Sequence, residues 1–175
     1  MIVDKFGYRM NVGIILVNES NRVFWGKRIG HDAWQFPQGG LFEDETPLEA
    51  MYRELFEEVG LEKNDVELLG YTRHWLKYRL PKQYVRHTQT PLVIGQKQRW
   101  YLLRLTAFEQ KIRLDMSESP EFDSWRWLDY DEPPNQVIFF KKQVYSQALK
   151  ELLSCLKRKK VSHGMYRKKH KPSTS

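Results

Sequence analysis

Three glutamates in one short stretch of chain have the side chains and the spacing needed to bind a metal ion. Glu54, Glu57 and Glu58 are spaced i, i+3 and i+4, so on a helix they project from the same part of one face. Like charges at this spacing cost a helix roughly 0.2–0.5 kcal/mol per pair. Mg²⁺, which prefers carboxylate oxygens together with phosphates and water, would remove that repulsion. The spacing therefore predicts a magnesium site, but by itself it leaves a solvated acidic face open as the alternative, and the surrounding sequence has to decide between them.

Arg53 is the basic residue closest to these glutamates in the sequence. Its i+4 neighbour is Glu57 and its i−4 neighbour is Glu49, so we expect Arg53 to tie the helix together and to hold Glu57 in place. Glu54 and Glu58 have no comparable partner at helical spacing.

The helix that would position these residues has clear boundaries. Thr46 can cap it, Pro47 suits its first position, Glu49 completes a capping box and Gly60 is a natural stop. Apolar residues recur at three- and four-residue spacing and predict the buried stripe, with the acids lying off it. These residues are Leu48, Met51, Leu55 and Val59. Just before the helix, residues 34–40 read Trp-Gln-Phe-Pro-Gln-Gly-Gly, which excludes regular helix and favours a bent loop that other groups approach closely.

The remaining elements predict an α/β fold. Residues 10–17 and 22–27 suggest a hairpin, residues 66–75, 98–107 and 124–128 suggest further strands, and residues 140–156 suggest a terminal helix. A mixed sheet with helices packed on it is the simplest architecture for these elements. Phe139 and Phe140 are adjacent, so on a strand one would face the core and the other would face outward.

The chain divides into two regions by charge. It has 175 residues and a net charge of +7, and residues 157–175 hold eight Lys or Arg and no acid. We therefore predict one compact domain over residues 1–156 and a basic, flexible tail over residues 157–175. The first nine residues lack a signal-peptide pattern, and no apolar run approaches the roughly 18 residues that a membrane span needs. These features predict a cytoplasmic protein without a membrane partner.

A second charge asymmetry points to a polyanionic ligand. Residues 71–108 contain eight Lys or Arg and no acid, interleaved with aromatic residues such as Trp75, Tyr78 and Tyr84. Basic groups can hold phosphates while aromatic rings offer stacking faces. The alternative is that these aromatic residues belong to the core and the cations are simply solvated.

The glutamate helix and the loop before it together resemble the signature of the Nudix hydrolases. That signature is met by Gly39, Glu45, Arg53, Glu54, Leu55, Glu57, Glu58, Gly60 and Leu61. The resemblance implies a Nudix fold, an α/β/α sandwich with a central mixed β-sheet. It also implies Mg²⁺, for which other divalent cations such as Mn²⁺ can substitute, and attack of water on a phosphoric anhydride. The implied catalytic residues are Arg53, Glu54, Glu57, Glu58 and Glu121, and the implied metal ligands are Gly39 and the same four glutamates. Glu54 and Glu121 both stay open as the general base.

Segments outside this signature resemble the branch of the family that acts on RNA 5′ ends. These segments are residues 6–13, 34–40, 71–81, 94–98 and 120–127. The implied reaction removes pyrophosphate from a 5′-triphosphate, or phosphate from a 5′-diphosphate, leaving a monophosphate that promotes RNA decay. The alternatives are a diadenosine tetraphosphate hydrolase, which shares the Trp-Gln-Phe-Pro-Gln-Gly-Gly element, and an RNA-binding module without activity.

The same resemblance assigns the substrate contacts by position. Arg28, Ile138, Phe140 and Lys141 would surround a base near the 5′ end. Arg9, Lys77 and Tyr78 would face the phosphates. The expected partner is thus an RNA 5′ end or a nucleotide polyphosphate, and a protein activator is a possible further partner.

Overall fold

One mixed sheet of eight strands forms the centre of the protein. This computed structural model describes the backbone of residues 1–169 and the side chains through Leu156. The strands are β1 (Tyr8–Val17), β2 (Val23–Arg28), β3 (Trp34–Gln35), β4 (Gln38–Gly40), β5 (Val66–Tyr71), β6 (Leu76–Arg79), β7 (Gly95–Leu105) and β8 (Phe122–Leu128). The order β3-β2-β1-β7-β5 forms the main path, while β4 pairs with β1, β6 with β7 and β8 with β2.

The two long strands β1 and β7 form the parallel centre of the sheet, in register from Tyr8↔Gly95 to Val17↔Arg104. Alternate residues of β1 point to opposite faces, so Ile14 and Ile15 enter two different cores. Because both faces are buried, β1 reads as a continuous apolar run.

Over residues 1–169, three α-helices complete the fold: α1 (Pro47–Val59), α2 (Pro133–Gln136) and α3 (Lys142–Lys169). The apolar side of α1 packs in the core on one face of the sheet, and α3 packs in the core on the other face. This arrangement confirms the predicted α/β/α sandwich. Along the described part of the chain, no helix is both long enough and apolar enough to cross a membrane.

Helix α3 differs from its predicted bounds. It begins at Lys142, after a 3₁₀ turn over Phe139–Lys141, and its backbone extends to Lys169. The predicted tail therefore overlaps this helix up to Lys169, while its side chains and residues 170–175 lie outside the described residues. The separate role of the tail stays a prediction.

The predicted hairpin is present, but its two strands stay paired only next to the turn. Strands β1 and β2 pair only at Val17↔Val23. Beyond that pair, β2 joins β3 and β8, while β4 pairs with β1 from Asn11↔Gly40 to Gly13↔Gln38. The separation of the two strands gives the short strand β4 its place beside β1.

Two local expectations were wrong. The strand predicted over residues 66–75 ends at Tyr71, and β6 follows as a separate strand on the same edge of β7. Between them, the Thr72 backbone N–H donates to the Trp100 carbonyl, but the Trp100 N–H donates to the Thr72 hydroxyl, so a side chain replaces one of the two backbone hydrogen bonds there. Leu48 was placed on the buried stripe of α1, but it is 40% exposed, and Ala50 is the residue of the first turn that packs in the core.

Candidate active site

Helix α1 begins and ends as predicted. The Thr46 side chain accepts the backbone N–H of Glu49, the Glu49 carboxylate reaches back to Thr46, and Gly60 ends the helix in the left-handed conformation at φ 75°. These local interactions fix the rotation and length of α1, and so determine where its glutamates project.

The paired glycines of β4 allow two charged side chains to approach the backbone. A Cβ atom at Gly39 would overlap the carboxylate of Glu54, and a Cβ atom at Gly40 would overlap the guanidinium of Arg9. Both glycines therefore provide space rather than a special backbone conformation, since neither has a positive φ. The prediction of a closely approached loop is confirmed.

The three glutamates of α1 converge. One carboxylate oxygen from each of Glu54, Glu57 and Glu58 lies within 4.8 Å of the others. Glu54 is only 7% exposed and Glu58 only 9%. The acids therefore lie off the apolar stripe, as expected, but two of them are buried against the sheet rather than solvated.

Arg53 joins this cluster to the preceding loop. Its Nη1 donates to Glu54 at 2.8 Å and to Glu57 at 3.2 Å, which confirms the expected i+4 contact. Its Nε donates to Glu45 at 2.6 Å, and its Nη2 donates to Glu45 and to the Gly40 carbonyl, both at 2.9 Å. These carboxylates raise the pKa of Arg53, the hydrogen bond to Glu45 contributing most.

One expectation about these pairings was wrong, and one was incomplete. Arg53 was expected to contact Glu49, but the capping box occupies Glu49, and the loop brings Glu45 to the guanidinium instead. Glu54 was expected to have no comparable partner at helical spacing, and its partner is instead the adjacent residue, Arg53.

Burial and mutual repulsion disfavour the charged forms of Glu54 and Glu58 in this cluster. Burial raises the pKa of Glu54. Burial, followed by the charges of Glu54, Glu121 and Glu57, raises the pKa of Glu58 to about 8, although a hydrogen bond from the Glu121 backbone opposes the shift. Within the described residues, Oε2 of Glu58 is buried without a hydrogen-bond partner. Converging carboxylates with an unsatisfied buried oxygen fit the requirements of a hard divalent cation.

Pairing between β2 and β8 brings Glu121 to this cluster. Arg28 opposes Phe122 in that ladder, so the residue just before β8 lies beside the end of β2. Arg28 Nε donates to Glu121 at 3.2 Å, and the Gln35 amide donates to it at 3.4 Å. The charge of Glu121 contributes to the raised pKa of Glu58.

A buried lysine lies on the other side of Gln35. Lys141 Nζ donates to the Gln35 side-chain oxygen at 3.0 Å. Lys141 is 7% exposed, and burial, together with the nearby charge of Arg28, lowers its pKa to about 8. Gln35 therefore contacts both Lys141 and Glu121, so it joins the expected base site to the carboxylate cluster.

The expected base site is partly aromatic. Phe140 packs between Tyr78 and Tyr84, with ring centroids 5.8 and 5.0 Å away. Phe139 is 65% exposed and Ile138 is 37% exposed. One phenylalanine thus points inward and the other outward, although they lie in a 3₁₀ turn rather than on a strand.

The expected phosphate contacts do not all share one surface. Lys77 and Tyr78 are neighbours on β6 and so project to opposite faces. Tyr78 is 7% exposed, and burial raises its pKa to about 12. Lys77 is exposed, with its Nζ 5.3 Å from the centre of the Tyr8 ring. Arg9 lies against Gly40, beside the carboxylate cluster.

Several amides that position the site were not anticipated. Gln98 is fully buried, and its amide donates to Asn11 at 2.8 Å and to Gln38 at 3.2 Å, which anchors the start of β4. Gln35 and Gln38 lie in the Trp-Gln-Phe-Pro-Gln-Gly-Gly element. These contacts could have been predicted from the two glutamines, because polar side chains stand out in a segment that is otherwise apolar and rich in glycine.

Comparisons with known proteins agree with this geometry. A family model described as the NUDIX domain matches residues 7–148. An RNA pyrophosphohydrolase of Legionella pneumophila (strain Corby) is 69% identical over 170 residues, which is 97% of each chain. An RNA pyrophosphohydrolase of Pseudomonas putida (strain GB-1) is 58% identical over 151 residues, covering 86% of this chain and 95% of that protein.

Solved structures support the fold. The Escherichia coli dihydroneopterin triphosphate pyrophosphohydrolase matches with a TM-score of 0.63 at 22% identity, covering 80% of this chain and 95% of that one. A C. elegans Ap4A hydrolase complex matches with a TM-score of 0.58 at 13% identity, covering 83% and 98%. At these identities, the likeness concerns the fold alone. The family match and the two close relatives go further, and the chain therefore belongs to the NUDIX family.

Proposed function

We propose that this Nudix hydrolase is an RNA pyrophosphohydrolase. It removes pyrophosphate from a 5′-triphosphate end of RNA, or phosphate from a 5′-diphosphate end, and leaves a monophosphate that promotes decay. The close relatives carry this name. The observation that carries the proposal is the contact of Gln35 with both Glu121 and Lys141, because it joins the glutamates to the basic and aromatic side chains expected to hold a base.

Mg²⁺ is the proposed cofactor, and Mn²⁺ is expected to substitute for it. The proposed ligands are the carboxylates of Glu54, Glu57, Glu58 and Glu121 and the backbone carbonyl of Gly39. A bound divalent cation neutralises phosphate charge and lowers the pKa of a bound water.

The protein's own groups have distinct proposed roles. Arg53 is a positioning residue, since it holds Glu54 and Glu57 while anchored to Glu45 and Gly40. Glu54 and Glu121 are the two candidates for the general base.

Substrate binding is divided between two groups of residues. Arg9, Lys77 and Tyr78 are proposed to serve the phosphates. Arg28, Ile138, Phe140 and Lys141 are proposed to surround a base. Among the three residues proposed to contact the phosphates, Arg9 has the strongest support, because its guanidinium lies against Gly40, beside the carboxylates.

A substrate comparison tests the function. Purified protein with Mg²⁺ is incubated separately with 5′-triphosphorylated RNA and with diadenosine tetraphosphate, and kcat/KM is measured for each. We expect RNA to be preferred. A preference of about tenfold or more for the dinucleotide, equivalent to roughly 1.4 kcal/mol, would favour the diadenosine tetraphosphate hydrolase.

The metal site has its own test. Glu57→Gln should abolish metal-dependent turnover of both substrates while leaving the circular dichroism spectrum unchanged, because Glu57 is the least buried carboxylate of the three on α1. Full activity in this variant would show that the cluster does not hold the catalytic metal.

Residues 157–175 are proposed to add phosphate contacts that do not depend on sequence. Their side chains lie outside the described part of the structure, so the support is their charge. Deleting them should weaken RNA binding more at low salt than at high salt. Equal effects at both salt concentrations would exclude this role. A cytoplasmic location and a protein activator both stay predictions.

A further inference from the structure

Tyr84 contacts Phe140 of the expected base site and also lines a separate cleft. Phe140 packs near one side of its ring. This cleft, here called the Tyr84 cleft, has a volume of about 220 Å³. Its polar lining includes Arg9, Arg86, Gln89 and Gln96, and its apolar lining includes Met1 and Leu80. Tyr84 is 44% exposed, so its ring is available to a ligand.

The lining of the Tyr84 cleft matches the chemistry of a nucleobase. Tyr84 offers an aromatic surface, while Arg86, Gln96 and the side-chain oxygen of Gln89 offer hydrogen-bond donors and acceptors. The Gln89 side-chain nitrogen donates to Met1 Sδ at 3.6 Å. Proteins recognise unpaired RNA bases through this combination of stacking and edge contacts. The cleft is smaller than the roughly 300–1,000 Å³ typical of pockets for drug-sized ligands, so it suits a single base.

Unsatisfied polar groups in the lining also suggest a ligand. Arg9 Nε and Gln96 Oε1 are both buried without a hydrogen-bond partner in the described part of the protein. Buried polar atoms in native proteins are usually paired. Both atoms are inaccessible to solvent in this structure, so a ligand in the cleft would bond to them only after the Arg9 and Gln96 side chains turn toward it.

The Tyr84 cleft adjoins the carboxylate cluster through Arg9. Arg9 lines the cleft, and its guanidinium lies against Gly40. The preceding residue, Gly39, packs against Glu54. A nucleotide in the cleft would therefore be close to phosphates held at the cluster, in a segment of chain that contains no acid.

We propose that the Tyr84 cleft binds a second base of the RNA, next to the base held at Phe140 and Lys141, so that the enzyme contacts two successive nucleotides. This inference rests on the proposed function. It adds a specificity-determining subsite formed by Arg86, Gln89 and Tyr84.

The test combines a cleft variant with RNA that lacks one base. Arg86→Ala together with Gln89→Ala removes polar groups at exposed and half-buried positions, so the fold should be retained. Gln83→Ala is the matched control, because Gln83 is exposed in the neighbouring 3₁₀ turn and does not line the cleft. The substrates are 5′-triphosphorylated RNAs with an abasic residue at the first position, at the second, or at neither.

We expect the double variant to lower kcat/KM on intact RNA about tenfold, mainly through KM, as the loss of base contacts predicts. One of the two abasic RNAs should be cleaved about tenfold more slowly by the wild type, with no further loss in the double variant. The Gln83→Ala variant should match the wild type on every substrate.

Two outcomes would overturn the inference alone: a double variant as active as Gln83→Ala, or equal losses on intact and both abasic RNAs, which would indicate a backbone contact. A wild type that does not cleave triphosphorylated RNA would instead refute the proposed function, and the inference with it.

Discussion

Glu58→Gln tests the charge repulsion within the carboxylate cluster. Burial, followed by the charges of Glu54, Glu121 and Glu57, raises the pKa of Glu58 from 4.5 to about 8. The folded state therefore binds this proton more tightly than the unfolded state does. The resulting stability is fully present below pH 4.5 and is lost as the pH rises through the window up to about 8.

The size of this loss follows from the two pKa values. They differ by about 3.5, from 8 minus 4.5, and each unit corresponds to roughly 1.36 kcal/mol. The metal-free wild type should therefore lose up to about 5 kcal/mol of unfolding free energy across this window through Glu58. The Glu58→Gln variant has no proton to lose there and avoids this penalty.

Urea unfolding followed by tryptophan fluorescence measures the effect. With EDTA present, the unfolding free energy of Glu58→Gln relative to wild type should increase from pH 5 to pH 8.5 by at least about 1 kcal/mol. Glu118→Gln, which removes an exposed acid, serves as the control. Mg²⁺ at pH 8.5 should then stabilise the wild type more than Glu58→Gln. A free-energy difference that does not vary with pH would refute the reasoning.

Three further changes test other parts of the site. Gly39→Ala should raise the Mg²⁺ concentration for half-maximal activity at least about tenfold, because the new methyl group displaces Glu54. A titration of activity with Mg²⁺ measures this concentration. Gln35→Met should lower kcat on RNA about tenfold, because Glu121 loses a donor, and unchanged kcat would exclude a positioning role. Lys141 has a pKa of about 8, so its charge is lost above that pH. KM for RNA should therefore rise in alkali, and Lys141→Arg should abolish the rise.

Local interactions explain why helix α1 was predictable. Its cap, its stop and the Arg53–Glu57 contact involve residues at most four positions apart. Such contacts depend on helix geometry rather than on the rest of the chain. The glycine pair of β4 was also predictable, because its composition already indicated a close approach.

Long-range packing explains what was missed. Arg53 pairs with Glu45 rather than with Glu49, because the loop folds back onto α1 and Glu49 is engaged in the capping box. The single strand expected over residues 66–75 divides because β7 aligns two separate segments along one edge. Neither the Arg53–Glu45 pairing nor the division of the strand can be predicted from spacing along the sequence.

The sequence by itself determined the reaction class, because the signature residues lie on one helix and its adjoining loop. The tertiary structure decided which groups surround them. Pairing of β2 with β8 brings Glu121 to Arg28 across more than ninety residues of chain, and the sheet buries Glu58 enough to raise its pKa. Burial and long-range pairing depend on the packing of the whole sheet, and no local pattern encodes either.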